Sequence, residues 1–329
     1  MSLPKVFVTR RIPDAGLDLL QNRASIEIWT ERQPPPYKVL QDKIRDIDGL
    51  LCLLTDRIDK NLIELGTSLK VISQMAVGYD NIDVAAATAR GIPIGNTPGV
   101  LTEATADLTW ALLMAASRKI VEAERFVREG RWQTWEPMLL LGADVAGATL
   151  GIVGFGRIGQ AVARRAKGFD MRVLYWNRHR CEIGLERELG VEYASFEQLL
   201  EESDFVSIHV ALFQETYYLF DRPQFDSMKP SAILINTARG AIVNPDALYD
   251  AIHTGKIAGA ALDVTEPEPI LPDSPLLSLP NLLIVPHIGS ASIKTRSQMA
   301  LMAAQNLIAG LQGECLPNCV NPEVYERKQ

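Results

Sequence analysis

The chain has 329 residues, more than one hydrophobic core comfortably serves and enough for two domains of ordinary size. Hydrophobic residues make up 47% and charged residues 22%, the mix of a packed globular protein, which excludes disorder and fibrous structure. With 33 Lys and Arg against 40 Asp and Glu, the formal net charge is −7, so bulk charge does not recruit nucleic acid or an anionic membrane.

In chain order, Lys5–Thr9 reads as a buried strand; it is too short for a signal peptide, and no run reaches the ~18 apolar residues of a membrane span. Residues 14–20 have helical spacing after Pro13, Ile26–Trp29 is a second strand, and Pro34, Pro35 and Pro36 form a stiff loop. A helix over Val39–Ile47, strands at Gly49–Leu54 and Leu69–Met75, and a turn at Gly78–Asp80 complete a βαβα rhythm. That rhythm implies a parallel sheet covered on both faces. It breaks near Thr97-Pro98-Gly99, and one long apolar helix is expected from Thr102 to Glu129, closing at Gly130. Trp132 and Trp135 follow in a polar stretch.

A second βαβ series begins at Thr149–Val153, with a helix from Gly156 to Gly168 and a strand at Met171–Trp176. Further strands are expected at Phe205–His209, Ala232–Asn236, Gly259–Asp263 and Leu282–Val285, then a long helix from Ser292 to Leu311 ended by Gly313 and Pro317. That last helix can pack back on the first unit. The expected division is a discontinuous substrate-binding domain, residues 1–99 with 288–329, and a dinucleotide-binding domain, residues 100–287. The expected class is α/β, with two doubly wound parallel-sheet domains, Rossmann-like and flavodoxin-like, and a cleft between them. The four cysteines (Cys52, Cys181, Cys315 and Cys319) have no zinc spacing and read as free thiols in a reducing cytoplasm, with no metal expected.

Gly154-Phe155-Gly156-Arg157-Ile158-Gly159 is a G-x-G-x-x-G that directly follows a strand and opens a helix. Alone the pattern is weak; in this setting it is a pyrophosphate cradle, with tight-turn, close-approach and helix-packing glycines in order. An NAD site places an acid about 20 residues on, to accept from the ribose 2′-OH. Here the next strand ends in Trp176-Asn177-Arg178-His179-Arg180, with no acid. Asn177 can bond the ribose, and Arg178 and Arg180 can neutralise a 2′-phosphate, so NADP(H) is expected to be preferred, with NAD(H) accepted.

Three segments after predicted strands carry an Arg, a Glu before a Pro, and a His: Ile235–Gly240 (INTARG), Leu262–Pro269 (LDVTEPEP) and Pro286–Ala291 (PHIGSA). With KVFVTRRIP from Lys5, VGYDNID from Val77 and NTPGVLTEATADL from Asn96, they span nearly the whole chain. On these motifs the sequence resembles the D-isomer-specific 2-hydroxyacid dehydrogenase family, and within it the glyoxylate/hydroxypyruvate reductases.

The resemblance implies that Arg239, Glu268 and His287 are catalytic, with Glu268 rather than Glu266 as the carboxylate. The chemistry suits the types: histidine titrates near working pH and can give a proton to a carbonyl oxygen, a carboxylate on its far nitrogen orients it, and arginine clamps a substrate carboxylate. It further implies Thr105, Thr237, Asp263 and Gly289 along the cofactor. Val77, Gly78, Ser290 and Trp135 would contact substrate. In the family the Trp132–Trp135 stretch packs on a second subunit, so a cytoplasmic homodimer is implied, with Trp135 reaching the partner's site. The implied reaction is hydride transfer to a small 2-oxo acid, glyoxylate to glycolate or hydroxypyruvate to D-glycerate. The rivals are phosphoglycerate-, phosphite- or D-lactate-type dehydrogenases, and a dinucleotide-sensing corepressor on the same fold.

Overall fold

The computed structural model describes residues 3–326. The chain divides into two compact units: residues up to Leu101 with those from Ser290 onward, and residues Thr102–Gly289.

The first unit begins β1 (Lys5–Val8), α1 (Asp14–Leu20), β2 (Ser25–Ile28), α2 (Tyr37–Lys43) and β3 (Gly49–Cys52). It continues α3 (Lys60–Leu65), β4 (Val71–Gln74), α4 (Val84–Ala89) and β5 (Ile94–Gly95). The five strands lie parallel in the order β2-β1-β3-β4-β5. Every residue of β3 and β4 is buried, the polar Ser73 and Gln74 included, as strands with both faces covered require. The short α3 and α4 owe their starts to Asp59 and Asp83, whose carboxylates accept from the amides of Leu62 and Ala86; such caps contribute about 1 kcal/mol each.

The second unit opens with α5 (Thr102–Ser117) and α6 (Ile120–Arg128), where the sequence suggests one helix. The break has a physical cause. The Ser117 carbonyl accepts the Ala143 amide at 2.8 Å, and Lys119 turns left-handed (φ 50°). Seven residues of α5 are buried but none of α6, so the two halves face different surroundings. There follow β6 (Thr149–Val153), α7 (Arg157–Ala166), β7 (Arg172–Trp176), α8 (Ile183–Leu189), β8 (Val191–Tyr193), α9 (Phe196–Glu202) and β9 (Phe205–Ile208). The unit ends with α10 (Arg222–Ser227), β10 (Ile233–Asn236), α11 (Pro245–His253), β11 (Gly259–Leu262) and β12 (Leu282–Ile284). Its seven strands are parallel in the order β12-β11-β10-β9-β6-β7-β8. The chain runs outward one way from β6 and the other way from β9, so the switch point where such sheets bind ligands lies between their ends.

The chain then returns to the first unit as α12 (Ile293–Gln312), which packs on α1, β3 and β4 and closes at Gly313, φ 76°. Its N-cap is Ser292, whose hydroxyl accepts from the Thr295 amide.

Candidate active site

The switch point of the seven-stranded sheet carries the glycine loop. Gly154 has φ +97°, and a Cβ there would lie 2.5 Å from the Val210 amide nitrogen, so both conformation and space require glycine. A Cβ on Gly159 would lie 2.3 Å from the Gly154 carbonyl oxygen, the close helix–strand approach expected of the third glycine. Gly156 is different: a Cβ there meets no atom within 4 Å. It opens α7, and the amides of Arg157 and Ile158 donate to no acceptor among the described residues. Open space in front of partnerless amides at a helix start fits the pyrophosphate of a dinucleotide. Phe155 donates its amide to Asn177 Oδ1 at 3.4 Å, and Asn177 Nδ2 donates to the His179 carbonyl at 3.1 Å, so Asn177 ties the glycine loop to the end of β7.

The two arginines after Asn177 are not equivalent. Arg180 presents its fork to Glu186, with Nε to Oε1 and Nη2 to Oε2, both 2.7 Å. Tyr175 donates its hydroxyl to the same carboxylate at 2.6 Å and accepts the Cys181 amide at 3.0 Å. The Arg180 bonds, with help from Tyr175, hold the Glu186 carboxyl down to about 2. Arg180 therefore sits in a neutral pair, and its fork is not offered to a phosphate. Arg178 is exposed and makes no ion pair among the described residues. Glu186, on α8, is thus the partner of Arg180, and no sequence spacing flagged it.

At the C-terminal ends of β10, β11 and β12 the sheet gathers the Arg, Glu and His segments. After β10, Asn236 donates its side-chain amide to the Arg239 carbonyl at 2.8 Å and accepts the Ala238 amide at 3.0 Å, a closed turn that fixes Arg239. Gly240 follows because a Cβ would lie 1.9 Å from the Thr265 carbonyl oxygen. After β11, the Thr265 hydroxyl donates to the Pro267 carbonyl at 2.9 Å, just ahead of Glu268. After β12, His287 takes a left-handed φ of 53°, its amide donating to the Asp263 carbonyl at 2.8 Å. Its Nδ1 lies 2.5 Å from Glu268 Oε1, with both side chains partly exposed.

Thr105, in the first turns of α5, and Thr237, after β10, are linked through Thr109, whose hydroxyl donates to the Thr105 carbonyl and meets the Thr237 hydroxyl at 2.9 Å. Asp263 is buried and accepts the amides of Ile288 (2.6 Å) and Gly289 (2.8 Å). Burial pushes its carboxyl up, against the pull of those amides. His209, at the end of β9, is a residue the sequence reading passed over. Its Nε2 meets the Ser207 hydroxyl at 2.8 Å, and burial pushes the ring down to about 3, so it stays neutral at working pH.

In the first unit, the carbonyls of Val77 and Gly78 accept from Asn96 Nδ2 (2.9 Å) and Gln74 Nε2 (2.7 Å). Ser290 Oγ accepts from Arg296 Nε at 3.0 Å. Trp132 and Trp135 are 60% and 78% exposed. No group of three or more His, Cys, Asp or Glu among the described residues is arranged to hold a metal ion, and no described helix is long and apolar enough to cross a membrane.

The match to known proteins is extensive. The family model for the D-isomer specific 2-hydroxyacid dehydrogenase NAD binding domain matches residues 110–289. A glyoxylate reductase of Korarchaeum cryptofilum is 56% identical over 324 residues, covering 98% of this chain and 97% of that protein. One from Thermococcus litoralis is 52% identical over 98% of each. A solved Thermus thermophilus structure superposes with a TM-score of 0.90 at 47% identity, covering 96% of this chain and 99% of that one. An NADPH-dependent glyoxylate/hydroxypyruvate reductase from Sinorhizobium meliloti, solved with NADP and malonate, gives 0.85 at 32% identity over 98% of each chain. With its glycine loop at the sheet's switch point and its paired His287 and Glu268, the chain belongs to the D-isomer specific 2-hydroxyacid dehydrogenase family, and within it is similar to the glyoxylate reductases.

Proposed function

We propose that the protein reduces small 2-oxo acids, glyoxylate and hydroxypyruvate, with NADPH preferred over NADH. The observation that carries the reading is the 2.5 Å contact between His287 Nδ1 and Glu268 Oε1, which leaves Nε2 as the ring nitrogen that meets substrate. A bound nicotinamide supplies the hydride. The chain's own work is to hold the 2-oxo acid and deliver a proton. Arg239 pairs with the substrate carboxylate and polarises the carbonyl, with the amides of Val77 and Gly78 as further carboxylate donors. His287 Nε2 protonates the carbonyl oxygen, and Glu268 on Nδ1 keeps the ring oriented. Gly154, Gly156, Arg157 and Ile158 hold the pyrophosphate, and Thr105, Thr237, Asp263 and Gly289 flank the nicotinamide. Asn177 meets the ribose and Arg178 the 2′-phosphate. Of the two arginines expected at the 2′-phosphate, Arg178 and Arg180, we assign the contact to Arg178, because Arg180 is paired with Glu186.

A homodimer belongs to the same reading. Ile120, Val121 and Val127 on α6, then Trp132, Trp135, Met138 and Leu141, expose a run of apolar side chains of the kind a second copy covers.

His287→Asn tests the reaction. Loss of a positioned general acid lowers kcat about 10²–10⁴-fold, while dinucleotide affinity stays at the parental value. Steady-state kinetics with a parallel NADPH titration reads both, and near-parental turnover removes His287 as proton donor.

A further inference from the structure

Two successive peptides after β4 are turned the same way, and one side chain is responsible. The Ala76 carbonyl accepts the Thr97 amide at 2.9 Å, and the Val77 carbonyl accepts Asn96 Nδ2, also at 2.9 Å. Both carbonyls therefore point at the same two residues, just past β5. In an extended strand successive carbonyls point to opposite sides. In a trans peptide the N–H points opposite to the C=O of the same plane. The amides of Val77 and Gly78 are consequently both directed away from Asn96 and Thr97, and neither donates to an acceptor among the described residues. Adjacent amides converging on one side form a concavity for an anion.

The anchor is itself anchored. The Asn96 carbonyl accepts Asn306 Nδ2 at 2.9 Å, and Asn306, fully buried on α12, accepts the Asn318 amide at 3.0 Å. On the other side, Gln74 holds the Gly78 carbonyl and pairs with Asn81, at 2.6 Å from Nε2 and 3.1 Å to Oε1. Asn81 in turn donates to the carbonyls of Leu53 and Asp56. The whole array is carboxamide, which supplies donors and acceptors without charge.

We propose that Asn96 is a positioning residue for substrate binding. Its side chain turns the Val77–Gly78 peptide so that two adjacent amides face the carboxylate of the 2-oxo acid, with Asn306 and Gln74 locking the arrangement. This rests on the reading of Val77 and Gly78 as carboxylate donors. Asn96 touches carbonyls, not substrate, so its signature is a defect confined to the carboxylate.

The test uses the full chain with Asn96→Asp, which keeps the shape and replaces the donor by an oxygen that repels the Val77 carbonyl. Asn96→Ser, too short to reach, is the uncharged companion and carries the test should the Asp variant not fold. The expected result is a KM for glyoxylate raised about tenfold or more, the scale of one lost hydrogen bond. Expected with it are a kcat within about threefold of the parent and an NADPH Kd, read by calorimetry, unchanged. A glyoxylate KM within twofold of the parent overturns the proposal. So does a KM rise matched by an equal loss of NADPH affinity and a lowered melting temperature, which marks general damage. Hydrogen exchange of the parent's segment around residues 76–80, with NADP⁺ and saturating oxamate, separates the two layers. Protection there with an unaffected variant KM removes only the Asn96 role, whereas no protection removes the carboxylate reading and the proposal with it.

Discussion

Two loops of this molecule leave backbone amides without partners, and they do so by opposite means. After β6, glycines and the start of a helix suffice: Gly154 turns, α7 begins, and the first amides of any helix lack acceptors. After β4 there is no helix start. The amides of Val77 and Gly78 are freed because their neighbouring carbonyls are tied down by Thr97, Asn96 and Gln74. The first device is local and occupies six consecutive residues. The second depends on Asn306, 210 residues away from Asn96. A locally built anion site tolerates change elsewhere and fails when its own space is filled, whereas an assembled one fails when any distant anchor is lost.

Gly156→Val probes the local device with the largest effect. The added side chain occupies space that is open within 4 Å of the Cβ position, so folding is little affected and the melting temperature stays near the parent's. Dinucleotide binding is expected to weaken at least about 100-fold for both coenzymes, about 2.7 kcal/mol. Calorimetric titration of NADPH and NADH reads this, and parental affinity would mean that no phosphate approaches Gly156.

A smaller effect separates the two arginines. Arg178→Gln is expected to lower NADPH binding about tenfold at low salt, the scale of one exposed charge-assisted contact, and to leave NADH unchanged. Arg180→Gln disturbs the loop through Glu186, so it shifts both coenzymes alike, by less than about threefold. The opposite pattern in Kd values would return the phosphate to Arg180.

The smallest effect lies in the wall of the glycine loop. His209 is held neutral down to about pH 3, while in the unfolded chain it takes up a proton near the ordinary histidine value. The unfolded state thus binds more protons between those limits. Stability from this residue is complete above about pH 6.5 and falls on acidification, on the order of 1 kcal/mol per pH unit. Melting temperature against pH should show that acid-side slope in the parent and a shallower one in His209→Gln.

Much of the fold is legible in the sequence, because buried parallel strands are largely apolar runs: β3, β4, β9, β10 and β11 each bury every residue, with Ser73, Gln74, Ser207 and Asn236 the polar members. The edge strands β5 and β8, two and three residues long, leave no such run, and the capped short helices α3, α4 and α9 are too brief for a period to emerge. The single helix expected over residues 102–129 shows the limit of periodicity, since what ends α5 is an amide from Ala143. The same holds at the site. Glycines and the Arg, Glu and His segments are motifs with fixed spacing. The pairing of Arg180 with Glu186, the neutral His209 and the Asn96–Asn306 array are tertiary, and nothing in their spacing distinguishes them from ordinary polar residues.

If Asn177 and Arg178, and not an acid, receive the cofactor's ribose, the two coenzymes must differ in use. The most direct measurement is kcat/KM of the parent protein for NADPH and for NADH at saturating glyoxylate and low ionic strength, where phosphate–arginine attraction is least screened. Enzyme-like turnover with both coenzymes is expected, with a preference for NADPH of about tenfold or more, equivalent to about 1.4 kcal/mol from one charge-assisted contact. Equal or better kcat/KM with NADH would contradict the assignment of Arg178, and absence of turnover with either would contradict the reductase itself.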